Sequence, residues 1–147
     1  MSSLAMTRAE REAFLAATRV GIVSIAEPGR GPLTVPVWYR YEPGGVLRFV
    51  TGAQSRKARL IRAAGRIGFC VQTETAPYQY VSLEGPVTLG EPDPQRDVRE
   101  MAIRYLGEQM GEMYLQMTAA ERAAMPSVLV RLKPEHWITV DYNKMMP

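Results

Sequence analysis

The chain has 147 residues, 46% of them hydrophobic and 22% charged, enough to bury one core and too few for two. These values predict a single domain over 1–147 and exclude wholesale disorder. A net charge of +3 is too small to mark a nucleic-acid binder, yet it suits an anionic small molecule. Cys70 is the only cysteine, so an internal disulfide is excluded and a reducing, cytoplasmic setting is expected. Arg19 interrupts the best apolar stretch, Phe14 to Ala26, so neither a signal peptide nor a membrane span is expected.

Thr7-Arg8-Ala9-Glu10 has the capping-box pattern and predicts a short helix to about Ala17. Gly21 to Ala26 reads as a strand, closed by the turn cluster Glu27-Pro28-Gly29-Arg30-Gly31-Pro32. Leu33 to Tyr41 reads as a second strand, placed at an edge or bulge by Pro36, which has no N–H to give a ladder. Glu42-Pro43-Gly44-Gly45 turns the chain into a third strand, Val46 to Thr51. Ser55 to Ala64 breaks the strand rhythm and predicts a helix with Ser55 as its N-cap. Ile67 to Thr73 and Tyr80 to Leu89 alternate as strands.

Asp93-Pro94 then starts a helix with the apolar stripe Val98, Met101, Ala102, Tyr105 and Leu106. Thr118-Ala119-Ala120-Glu121 reads as a second capping box, opening a short helix that Pro126 stops. Val128 to Leu132 and Trp137 to Tyr142 are the closing strands. About seven strands in hairpins, with helices between, predict an α+β class fold that is mainly antiparallel β and barrel-shaped. No Gly-x-Gly-x-x-Gly opens a helix, which counts against a Rossmann domain.

The Ser55 helix carries a local conflict. Arg56 and Lys57 occupy its first turn, where the helix dipole is already positive and each exposed cation costs about 0.3–1 kcal/mol. An anion bound there would meet free N–H groups and two cations, reversing the sign. Arg59 and Arg62 extend the basic face, while Leu60, Ile61 and Ala64 supply the buried one. The same pattern also fits solvated arginines on an ordinary amphipathic helix, and the segment alone leaves both readings open.

The order Gly21-Ile22-Val23-Ser24-Ile25, Val35-Pro36-Val37-Trp38-Tyr39, Phe49-Val50-Thr51, then Ser55-Arg56-Lys57-Ala58-Arg59-Leu60 resembles the pyridoxamine 5′-phosphate oxidase-like split-barrel family. Tyr80-Val81-Ser82-Leu83-Glu84-Gly85 and Arg131-Leu132-Lys133-Pro134 before Trp137 carry the likeness over nearly the whole chain. It is most similar to the branch that uses the deazaflavin coenzyme F420, with FMN as the alternative. The resemblance implies a split β-barrel with short flanking helices, and a homodimer with cofactor at the subunit interface.

It also implies that Ser55, Arg56, Lys57 and Arg59 hold the cofactor phosphate and that Val35, Pro36, Val37 and Trp38 lie along its ring. Val50 and Thr51 would line the same cleft, with Gln79 and Tyr80 as further contacts, reaching across the dimer. The implied activity is F420-dependent hydride transfer to an electron-poor, largely apolar small molecule. The alternatives are an FMN oxidase-type enzyme and a non-catalytic flavin, deazaflavin or haem carrier. The cofactor performs such chemistry, so no catalytic side chain is assigned, although water or Tyr39 could supply a proton.

No second, substrate-phosphate cluster is visible, and Arg131-Leu132-Lys133-Pro134 matches the oxidases' C-terminal motif only loosely. His136, the one histidine, sits in a turn, and with Cys70 so distant no metal site is expected. Cys70 reads as a small core residue. The methionines at 101, 110, 113, 117 and 125 read as core or dimer contacts. Asp141 and Glu84 receive no role.

Overall fold

The computed structural model describes residues 3–145. Helix α1 (Arg8–Ala16) begins on the expected capping box: Thr7 Oγ1 accepts from the Glu10 N–H at 3.2 Å and Glu10 accepts from the Thr7 N–H at 2.7 Å. Strands β1 (Gly21–Ile25) and β2 (Leu33–Val37) form a hairpin, followed by β3 (Arg40–Tyr41) and β4 (Leu47–Gly52). Helix α2 (Arg56–Ala64) is capped by Ser55 and ends at Gly65. Strands β5 (Arg66–Gln72) and β6 (Gln79–Gly90) follow. A π-helical turn (Pro94–Arg99), α3 (Glu100–Leu106) and α4 (Glu108–Ala124) then separate β6 from β7 (Ser127–Leu132) and β8 (His136–Asp141). A 3₁₀ turn (Tyr142–Met145) closes the described chain.

All eight strands join one antiparallel sheet in the order β2-β1-β5-β6-β7-β4-β3, with β8 also on β6. The twelve-residue β6 makes this possible. One of its edges pairs with β5, and the other is shared by β8 over Gln79–Glu84 and β7 over Val87–Gly90. The curled sheet is the expected split barrel. Alternation on β1, β4, β5 and β6 sends Val23, Ile25, Phe49, Phe69, Val71, Val81 and Leu83 inward, each at most 2% exposed. Tyr39 packs edge-on to Phe69 at 5.2 Å, and Phe49 lies tilted against the same Phe69 ring at 6.2 Å.

Pro36 stands on β2, the edge strand, opposite Ile22, where a missing donor costs no ladder bond. Three expectations are corrected. The strand predicted over Leu33 to Tyr41 breaks at Trp38 and Tyr39, because the Tyr39 N–H is bound by the Tyr105 hydroxyl at 3.0 Å instead of a neighbouring strand. Thr118 opens no helix: it lies inside α4, and its hydroxyl donates to the Tyr114 carbonyl at 2.8 Å, one turn back. The true break falls at Gly107, whose φ of 83° is strained for any residue with a Cβ. Cys70 lies half-buried on the outer face of β5, not in the core.

Candidate functional site

The principal cavity, about 610 Å³, opens between the edge of the barrel and the helices. Its strand wall is Val20, Pro36, Val37 and Trp38, and Val50 and Ser127 form the floor where β4 meets β7. Lys57 stands at the α2 rim. The helical wall is Asp97 and Val98 from the π-turn, Met101 from α3, and Tyr114 and Arg122 from α4.

Aromatic stacking fixes the strand wall where the ladder ends. Trp38 lies parallel to Tyr105 at 5.1 Å, and Tyr114 tilts against it at 5.5 Å. The Tyr105 hydroxyl is 2.6 Å from the Arg19 carbonyl and 3.0 Å from that of Tyr39, in addition to accepting the Tyr39 N–H. Tyr39 itself is buried, donates to the Leu15 carbonyl at 2.7 Å, and has its phenol pushed up by burial. It faces the core and cannot serve as the proton source suggested by its sequence position.

The charges of the cleft are unequal. Asp97 is 2% exposed, and both its oxygens are occupied. Arg48 donates to it in a two-pronged pair at 2.8–3.0 Å, and the Asp93 N–H donates at 2.7 Å. Arg122 turns back on its own helix, donating to the Leu115 carbonyl at 2.8 Å and to the Thr118 hydroxyl. Lys57 has no carboxylate or hydrogen-bond partner among the described residues, and burial pushes its ammonium below the usual value. An anion in the cleft would relieve that penalty.

Of the residues expected at the site, the cleft brings together Pro36, Val37, Trp38, Val50 and Lys57. Val35 points inward against the core. Thr51 is 7% exposed behind the floor, its hydroxyl 3.3 Å from that of Ser55. Ser55 spends its hydroxyl on the cap, accepting from Ala58 and donating to the Gly52 carbonyl at 2.7 Å. Arg56 is bound to Glu27, and Arg59 is exposed on α2 outside the cleft. Gln79 and Tyr80 begin β6, paired with Asp141 and Val140, and do not line this cavity.

Sequence reasoning missed Val20, Asp97, Val98, Tyr114, Arg122 and Ser127, and took Met101 for core or dimer contact. Met101 is indeed buried at 5% while also lining the cleft. His136 is exposed, near Glu84 and Glu135 on another face. Among the described residues no three His, Cys, Asp or Glu side chains gather as a metal site, and no helix is long and apolar enough to cross a membrane.

A curled antiparallel sheet with a cleft between its edge strand and an inserted helical segment defines the split-barrel class of flavin-binding proteins. The sequence matches the pyridoxamine 5′-phosphate oxidase family over residues 7–141, and the chain belongs to that family. No curated protein matches it significantly.

Solved structures share the fold. A conserved hypothetical protein of Mycobacterium tuberculosis is 24% identical, aligned over 100% of this chain and 92% of that one, with a TM-score of 0.78. A structure described as an F420 reductase is 22% identical over 86% of this chain and 94% of that one, with a TM-score of 0.59. An FAD-binding protein of Mesorhizobium loti is 21% identical over 91% and 92%, with a TM-score of 0.61.

Proposed function

We propose that the protein is an F420-dependent oxidoreductase, cytoplasmic, acting on a flat, electron-poor and largely apolar small molecule. One observation carries the reading: Lys57, a half-buried cation with no partner among the described residues, stands at the rim of a cleft whose strand wall is apolar. The cavity's volume lies within the roughly 300–1,000 Å³ of small-molecule sites. Val37, Trp38 and Val50 suit a planar ring, and Lys57 beside the N-terminal amides of α2 suits a phosphate. Exposed Arg59 adds positive potential at the same end. When bound, the deazaflavin supplies the hydride chemistry, while the chain binds it, orients it and excludes water. FMN is the second reading, favoured by the family match and by the same phosphate locus.

We also propose a homodimer through the outer face of β2, β1, β5, β6 and β8. That face carries Ile22 and Ile138, 39% and 66% exposed, around the small residues Ser24, Gly68, Cys70 and Ser82. Tyr80 stands on the same face with Gln79 beside it, and in such a dimer the two would reach toward the partner's cofactor. Light scattering should return twice the chain mass, and a monomer would remove this part of the reading.

The test of the cofactor site is direct titration. Fluorescence should report binding of F420 and, more weakly, FMN. Lys57→Ala should weaken either by about 1.5–3 kcal/mol, the scale of a hydrogen bond to a charged group. Binding of neither cofactor, or unchanged affinity in Lys57→Ala, overturns the proposal.

A further inference from the structure

Glu27 follows the end of β1 and does not line the cleft, but its partner Arg56 is the chain neighbour of Lys57, which does. The Glu27 side chain is only 12% exposed. It accepts two hydrogen bonds from Arg56, from Nε at 3.1 Å and more closely from Nη2, and lies 3.7 Å from Arg30 Nε. These guanidinium groups hold its carboxyl below the usual range. Arg56 directly precedes Lys57 in the first turn of α2. The cation that the sequence places next to a bound anion is thus committed to a carboxylate of the β1–β2 turn.

Resting on the cofactor-site reading above, we propose that Glu27 is a specificity-determining residue. By neutralising Arg56 it tunes the phosphate end of the cleft toward a singly charged phosphodiester and away from a doubly charged phosphomonoester. The reason is Coulombic. Restoring or removing one unit of nearby charge changes binding in proportion to the charge of the ligand, and a phosphomonoester carries about 1.5–2 charges at neutral pH. Lys57 is the cation that lines that end of the cleft without a carboxylate partner among the described residues, while Arg59 and Arg30 stay outside it. F420 carries its phosphate as a diester and FMN as a monoester, so at the phosphate alone the pair favours the deazaflavin.

The test uses three ligands that share one ring system: riboflavin, FMN, and the methyl ester of FMN, which bears a single charge. Affinities are measured by fluorescence in low salt for the wild type, Glu27→Gln, Arg56→Gln and the double variant. Glu27→Gln should tighten FMN about fivefold, its methyl ester about twofold, and riboflavin not at all. Arg56→Gln should weaken FMN by a similar factor, and the double variant should return to within about twofold of wild type. Salt at 0.5 M should shrink every shift.

Weaker or unchanged FMN binding in Glu27→Gln overturns the inference, as does a riboflavin shift as large as that of FMN. A normal loss in Lys57→Ala with no effect of Glu27→Gln overturns this inference alone. Failure of the wild type to bind F420 or any of the three overturns the cofactor reading and this one with it.

Discussion

The strand wall of the cleft and its helical wall are held by different forces. Val20, Pro36 and Val37 stand on or beside a β1–β2 ladder whose inner side chains are core. The helical wall, residues 94–124, sits on the barrel chiefly through side chains: the buried Arg48–Asp97 pair, Arg40 to Glu100 at 3.1 Å, Arg96 to Glu42 at 3.2 Å and the Tyr105 hydroxyl. Arg104 adds bonds to the Ala16 and Ala17 carbonyls at 3.1 Å, capping the end of α1. Within the helical wall, α4 is the looser part. Only its Gly111 is buried, pressed against the Ile103 backbone, whereas Met110, Met113 and Met117 are 56–79% exposed. Apolar burial thus defines one side of the pocket and a few polar anchors the other. Opening should begin on the polar side.

The sharpest way to break the comparison is in the barrel. Phe69→Ala removes a ring that touches both Tyr39 and Phe49. It should cost about 3–5 kcal/mol of global stability in urea unfolding, with all segments losing hydrogen-exchange protection together. Asp97→Ala leaves Arg48 buried without its partner and should cost about 3 kcal/mol, the low end for breaking a buried pair. Here the loss of protection should concentrate in residues 94–124. Uniform loss would show that the two walls form one unit.

Tyr105→Phe keeps the stack on Trp38 and removes the hydroxyl, so about 1 kcal/mol is expected, read as faster exchange in α3 with the barrel unchanged. The smallest effect belongs to Glu10, which Lys144 and the Thr7 cap hold at about 2, below its ordinary 4.5. A carboxyl depressed in the folded state stabilises above the unfolded value, and that stability is lost as pH falls from about 4.5 toward 2. Glu10→Gln should flatten the acid limb of the unfolding curve slightly, and only at low salt, because the site is exposed.

The same division explains what the sequence disclosed. Alternation on β1, β5 and β6, the caps at Thr7, Ser55 and Asp93, and the edge proline are local signals, each confirmed in place. The cleft residues came from the family resemblance instead, which supplied Pro36, Val37, Trp38, Val50 and Lys57, five of the twelve that line it. The helical wall is announced locally only where it starts, at the Asp93 cap. Asp97 is buried because Arg48, forty-nine positions away, reaches it from β4, and nothing near Asp97 announces that partner. Thr118 carries a true capping pattern, yet the helix runs through it because α4 packs on α3 from Gly107 onward. Arg56 illustrates the converse: its position in the helix was legible, but its commitment to Glu27 was not.

Trp38 has a practical consequence. It is one of two tryptophans, and it lines the cleft, whereas Trp137 lies under the Arg11 guanidinium at 4.4 Å and outside the cavity. The protein therefore carries its own optical reporter. In a Trp137→Phe background, emission would come from one indole at the pocket wall, and an absorbing ring that docked there would quench it by energy transfer. Occupancy could then be followed in real time, without a label and without knowing the substrate.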